Sequence, residues 1–272
     1  MKTMNLKKLC AVMLAIVMLL TMAACAGKSN TPAAEPPAQL DAPAAEETPA
    51  AEEPAAESAS YKVAIVKQLD HASLDEIANA ISARLDEIAA ENNVTIEYTV
   101  TSGQNDQTIL KQLTDQAIAD GVNAIIPIAT TAAQLAALSA EDSKTPVVYA
   151  AISDPAAAKL TGIDYVTGTS DALNTAFILD MMLKQNPDTA KVGLLYSLSE
   201  PNSATPIADA KAYLEEKGIA YTEQTANTND EVVAAAAALI ADGVDAIFTP
   251  TDNVIMAAEL AIYEDLAKAG IP

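Results

Sequence analysis

Apolar positions from residue 61 to 272 follow two alternating rhythms. Short unbroken apolar runs, such as YKVAIV at 61–66, read as strands buried on both faces, whereas apolar residues spaced by three or four read as helices. The first strand is followed by a helix over 73–90, where Leu74, Ile77, Ile81, Leu85 and Ile88 share one face. Residues 94–100 alternate as a strand. Residues 106–119 return to helix, with Ile109, Leu113, Gln116 and Ala117 on one side. A strand at 123–128, a short helix at 132–139 and a fourth strand at 146–150 complete the series. Alternation at this spacing predicts a parallel sheet with helices on both faces.

The second half repeats the first. Strands are expected at 191–196, 219–225 and 245–249, with helices at 204–217, 230–241 and 254–268; the last has Ile255, Leu260, Ile262 and Leu266 as its apolar positions. The closest internal match sets ADGVNAI at 119–125 beside ADGVDAI at 241–247, with one Asn/Asp exchange between them. Gly121 and Gly243 each stand where a helix ends and a strand must begin, a place that favours positive φ. The fold class is therefore α/β, with two similar Rossmann-like three-layer lobes, assigned to 61–165 and 166–272, and a cleft between them. The first unit shows four strands and the second three. Gly270-Ile271-Pro272 falls where Thr145-Pro146 opens the fourth strand of the first unit, so the second lobe is expected to be one strand short and marginal in stability.

The first 60 residues follow another pattern. Lys2, Lys7 and Lys8 precede an apolar run at 9–20, too short for a comfortable membrane span, and small residues follow it. Met22-Ala23-Ala24-Cys25 resembles the lipobox at which cleavage exposes a cysteine for lipidation, which makes 1–25 a lipoprotein signal peptide and Cys25 the anchor. Residues 26–60 hold six Pro and seven Asp or Glu with almost nothing bulky, the composition of a disordered acidic tether.

Charge and composition exclude several functions. A formal net charge of −22 disfavours nucleic acid as a partner. Both cysteines, Cys10 and Cys25, precede the α/β region, leaving it without a disulfide, thiolate nucleophile or cysteine metal site; a single histidine argues against clustered-His zinc. No GxSxG, HExxH, P-loop or dinucleotide fingerprint is present, so neither catalytic residues nor a cofactor are assigned.

The chemistry lies in the polar loops that follow the strands. Thr130 and Thr131 open a helix and could offer hydroxyls and free N–H groups to a carboxylate, or simply cap it. Ser153 and Asp154 follow the fourth strand, where Asp154 suits either an ammonium group or an Asp-Pro turn. Asp252 and Asn253 are candidates for an amine or amide contact. Asn202 and Ser203 follow the strand at 191–196. Ser170 and Asp171 lie where the chain crosses between lobes, with capping and cleft-facing roles both open. His71 follows the first strand, open to ligand contact or to a helix-start role.

These loops carry a resemblance. Gln68-Leu69-Asp70-His71-Ala72-Ser73-Leu74-Asp75, Gln104-Asn105-Asp106, Ile128-Ala129-Thr130-Thr131-Ala132-Ala133-Gln134, Ala151-Ile152-Ser153-Asp154-Pro155, Gly168-Thr169-Ser170-Asp171, Ser199-Glu200-Pro201-Asn202-Ser203 and Pro250-Thr251-Asp252-Asn253 resemble, in order, the ABC-transporter substrate-binding proteins that include tryptophan- and tyrosine-binding members. Asp70 stands where that family usually has Glu. The resemblance implies a type 1 periplasmic-binding-protein fold with no enzymatic activity. It implies a lipid-anchored protein on the extracytoplasmic face, and a small polar ligand, an amino acid, aromatic ones included, delivered to an ABC permease. It also adds Gln104 to the ligand contacts. A sugar ligand, or a sensor not coupled to transport, is the alternative.

Overall fold

The computed structural model describes residues 59–272; the expected signal peptide, the Cys25 anchor and nearly all of the tether lie outside the described residues. Among the described residues, eight strands form two parallel sheets, and seven helices cover both faces of each. The first sheet has the order β2-β1-β3-β4-β5, with β1 Ser60–Lys67, β2 Thr95–Ser102, β3 Ala124–Ile128, β4 Val147–Ile152 and β5 Val166–Ser170. The second has the order β7-β6-β8, with β6 Lys191–Tyr196, β7 Ala220–Thr225 and β8 Ala246–Phe248.

Alternation along the central strands feeds both faces of each sheet. In β1, Val63 and Ile65 pack beneath α1 (Ala72–Asn92) with Leu74 and Ala78, while Ala64 and Val66 turn to the other face. There they meet Leu110 and Ala117 of α2 (Gln107–Ala119) and Ala132 and Ala136 of α3 (Thr130–Ser139). In β6, Val192 and Leu194 pack on Leu179 of α4 (Thr175–Gln185) and Ile207, Ala210 and Leu214 of α5 (Ala204–Lys217). Leu195 faces Val232 and Leu239 of α6 (Asn229–Ala241) and Ile255 and Ile262 of α7 (Asn253–Ala269).

Three expectations are corrected. The sequence was read as four strands in the first sheet, which has five: β5 pairs with β4, and the sheet reaches Ser170, beyond the lobe boundary expected at residue 165. Its sequence, VTGTS, has no apolar run, and Gly168 is required by proximity, since a Cβ there would lie 2.1 Å from the Tyr149 carbonyl oxygen. In α2 the buried face is Leu110, Thr114 and Ala117, one position round from the expected stripe, and Ile109 is exposed. In α7, Leu260 is 89% exposed and does not join the apolar face.

The internal repeat extends to hydrogen bonds. Ile125 N–H donates to the Pro146 carbonyl at 2.9 Å, just before β4, and Ile247 N–H donates to the Pro272 carbonyl at 2.8 Å.

Candidate functional site

A cavity of about 120 Å³ lies between the lobes, beyond the carboxyl ends of the strands. The first lobe lines it with His71, Ser73, Leu74 and Ile77 after β1, Ala129 and Thr130 after β3, Ala151 and Ser153 at the end of β4, and Asp171 after β5. The second lobe contributes Asn202, Thr251, Asn253 and Met256. This is the place where open α/β sheets bind solutes.

Helix starts decide its electrostatics. The helices α2, α4, α6 and α7 have side-chain caps, from Asp106, Asn174, Thr228 and Asp252. The helices α1, α3 and α5 have none, and residues from the starts of α1 and α3, with Asn202 from the short 3-10 turn Pro201–Ser203 before α5, line the cavity. A start without a side-chain cap keeps free N–H groups and the positive end of a helix dipole; at α3 Gln68 Oε1 takes only the Thr131 N–H, and α5 continues directly from the 3-10 turn. Ala129 and Ala151, both on the wall, have φ of 77° and 58°, a backbone region that non-glycine residues seldom occupy.

The wall also offers acceptors. Asn202, 7% exposed, donates from Nδ2 to the Thr251 carbonyl at 2.7 Å, and its Oδ1 is buried with no partner among the described residues. An orphaned buried acceptor is costly unless a donor arrives. Asp171 adds an exposed carboxylate.

Four side-chain contacts join the lobes around the cavity. Ser153 Oγ meets Thr251 Oγ1 at 3.1 Å, His71 Nε2 meets Asn253 Oδ1 at 3.2 Å, Thr205 Oγ1 donates to Asp154 Oδ2 at 3.4 Å, and Gln68 Nε2 donates to Glu200 Oε1 at 2.5 Å. Glu200 also accepts from Asn253 Nδ2 at 2.7 Å. Burial, opposed by the Asn253 hydrogen bond and reinforced by the charge of Asp252, pushes the Glu200 carboxyl up to about 7.

Of the expected site residues, His71, Thr130, Ser153, Asp171, Asn202 and Asn253 come together on this wall. The others are engaged elsewhere. Thr131 gives its N–H to Gln68 Oε1 at 3.1 Å. Ser170 Oγ donates to the Ser153 carbonyl at 3.4 Å, and Asp154 Oδ1 accepts from Ala157 N–H at 2.9 Å. Gln104 turns to Asp70 Oδ2 at 2.5 Å and borders a separate groove with Asn105 and Asn227. The role expected for Asp252 is corrected. It is fully buried, its Oδ1 accepts from the N–H groups of Val254 and Ile255, and its Oδ2 accepts from Ser197 N–H and Ser203 Oγ, both at 2.6 Å. Those four donors hold the fold and take Ser203 with them. Sequence reasoning missed Thr251 and Ala151 on the wall and Gln68 and Glu200 behind it. Glu200 stands inside the quoted segment Ser199–Ser203, but nothing local marks a carboxylate that becomes buried only against the opposite lobe.

Two covered parallel sheets with a cavity of mixed polar and apolar lining between their strand ends have the architecture of a two-lobed solute-binding protein. The chain belongs to the ABC transporter substrate binding protein family, whose profile matches residues 62–272. The family's fold is that of a non-catalytic binding protein. Over 199 residues the chain is 26% identical to a tyrosine-binding protein of Clostridioides difficile strain R20291, a match covering 71% of this chain and 57% of that protein, so the chain spans little more than half of that relative's length. The ABC domain from Streptococcus pneumonia in complex with L-Trp has a TM-score of 0.71 at 29% identity, covering 79% of this chain and 73% of that one. A ligand-free, open substrate binding protein with adhesive properties from Clostridium difficile has a TM-score of 0.54 at 25% identity, covering 78% and 72%.

Proposed function

We propose that the chain is an extracytoplasmic receptor that takes up a free amino acid between its lobes and hands it to a membrane permease. The observation that carries this reading is the opposed polarity of the cavity wall. Uncapped starts of α1 and α3 suit a carboxylate, and the unpartnered Asn202 Oδ1 and the Asp171 carboxylate suit an ammonium group. An amino acid carries both charges within a few ångströms; a sugar carries neither. The L-Trp complex and the tyrosine-binding relative favour an aromatic side chain. At about 120 Å³ the cavity is well below the roughly 300–1,000 Å³ of sites for drug-sized ligands, so an aromatic ring enters only with the lobes further apart.

Thermal unfolding in the presence of each common amino acid, D-allose and myo-inositol tests the reading. An amino acid, with tyrosine and tryptophan foremost, is expected to raise Tm, and Asn202→Ala to weaken that ligand by about 1–3 kcal/mol, the cost of a lost buried hydrogen bond. Stabilisation by a polyol and by no amino acid would refute it. The reading includes anchoring through Cys25, with 26–60 as the tether; incorporation of a fatty-acid label into the wild type and not into Cys25→Ser is the expected result.

A further inference from the structure

We propose that Glu200, Asn253 and His71 form a proton-dependent latch between the lobes, and that closing the lobes takes up one proton on this chain of side chains. The latch goes beyond the amino-acid reading and does not depend on it.

Glu200 is 3% exposed, and its two oxygens face in different directions across the molecule. Oε1 accepts from Gln68 of the first lobe and Oε2 from Asn253 of the second. Gln68 cannot turn its amide over, because its Oε1 already holds the Thr131 N–H and its Nε2 also reaches Asn105 Oδ1 at 3.0 Å. Asn253 can. With Glu200 ionised, Asn253 Nδ2 donates to the carboxylate and its Oδ1 accepts from His71 Nε2–H. When a proton from water is added to Oε2, that arrangement sets a carboxylic O–H against an N–H. Rotating the Asn253 amide by 180° resolves the conflict: Glu200 O–H donates to Asn253 Oδ1, and Asn253 Nδ2 donates to the lone pair of His71 Nε2 in its Nδ1–H tautomer. The Glu200–Asn253 and Asn253–His71 contacts then each keep one donor and one acceptor in both states.

The charges around Glu200 favour the proton. Asp252, fully buried at the start of α7, repels a second negative charge. Lys67, at the end of β1 beside Gln68, is already paired with Asp70 and Asp75. Asp106, beyond Asn105, caps α2, and α3 presents only Thr130 and Thr131. Among the described residues, His71, one amide away, is the sole titratable side chain linked to Glu200 through side-chain hydrogen bonds. Among the described residues no ion pair reaches Glu200. Because its burial requires both lobes, separation returns the carboxyl to water and to the ordinary range. The closed form therefore binds more protons between that range and about 7, and closure strengthens as pH falls, by up to about tenfold per pH unit in that window, and is flat above it.

Carbon-13 titration of the Glu side-chain carboxyls in the full chain, with the Glu200 signal assigned by its loss in Glu200→Gln, is expected to give a midpoint near 7. The Asn253 side-chain amide and the His71 ring, the one histidine of the sequence, should move with it. Hydrogen exchange corrected for intrinsic rates should show greater protection of 129–131 and 251–253 at pH 6 than at pH 8. In Glu200→Gln, whose neutral amide can donate as the acid does, that protection should no longer change with pH. A Glu200 midpoint among the ordinary carboxylates, an Asn253 amide that does not follow it, or the same pH dependence in Glu200→Gln would each overturn the latch. None of these readouts uses a ligand, so a failed amino-acid screen leaves them intact.

Discussion

The two lobes are built from one unit and finish it differently at the cleft. After β3, α3 starts at Ala129, whose side chain covers none of the free N–H groups. After β8, α7 starts at Asp252, whose carboxylate covers two of them and ties down Ser197 and Ser203 as well. The first lobe thus covers one N–H of its helix start, that of Thr131, through Gln68 Oε1 and sets no charge against the rest. The second neutralises its own and presents amide oxygens from Asn202 and Asn253. Two copies of one unit thus meet the cavity with unlike helix starts.

The largest effect is expected from breaking the capped side of this comparison. Asp252→Ala leaves four donors without their acceptor, two of them outside the helix start and well buried. Charge-assisted hydrogen bonds and a lost cap together put the cost at about 3–4 kcal/mol in urea unfolding. Thr130→Ala at the uncapped start should stay within about 1 kcal/mol and show its effect in ligand binding. Equal destabilisation by the two would mean that Thr130 stabilises the start of α3 as Asp252 stabilises that of α7.

A smaller effect separates the two helix-to-strand joints. Asn123 Oδ1 accepts from Lys62 N–H alone, at 2.8 Å, while Asp245 Oδ2 accepts from Ala190 N–H and Lys191 N–H at 2.8 and 2.9 Å. Asn123→Ala should cost about 1 kcal/mol, and Asp245→Ala more, since it loses two bonds to an ionised group. The backbone hydrogen bonds from Ala190 and Lys191 hold the Asp245 carboxyl below its ordinary value. Its contribution is therefore complete above the ordinary carboxylate range and is lost as pH falls through the lowered value, the opposite sign to Glu200. Acid unfolding of Asp245→Asn should begin at a lower pH relative to its own neutral stability than that of wild type. Identical acid limbs would break the distinction between the joints.

The sequence made the repeat visible because apolar periodicity and the ADGV joint are local signals, read correctly at both sites. It also placed six of the twelve candidate side chains on the wall, because loops at strand ends are where such sheets bind. What it could not supply depends on partners distant in the chain. A polar VTGTS strand is recognisable only beside β4, and Glu200 meets Gln68, 132 residues earlier, only across the lobes. Asp252 was misread because an aspartate opening a helix looks the same whether its carboxylate faces a ligand or curls back onto Val254 and Ile255.

The smallest effect concerns the residue that makes the lobes differ. Ala129 and Asp252 hold the same place, immediately before a helix that opens on the cavity, yet φ is 77° at one and −89° at the other. With ψ of 163°, Ala129 occupies a region nearly reserved for glycine, at a cost of about 1–3 kcal/mol. Ala129→Gly removes that strain and gives back about 0.5–1 kcal/mol through the greater freedom of the unfolded chain. The net expectation is a stabilisation of about 1 kcal/mol in urea unfolding, with weaker solute binding, because the start of α3 is then less rigidly aimed at the cavity. Asp252→Gly, with no strain to relieve and four hydrogen bonds to lose, should only destabilise. If Ala129→Gly lowers stability, the surroundings of Ala129 favour its methyl group more than its dihedral angle disfavours it. The unlike starts of α3 and α7 would then owe nothing to stored strain, and the Asp252 carboxylate on one against the single Gln68 amide oxygen on the other would alone account for the difference between the lobes.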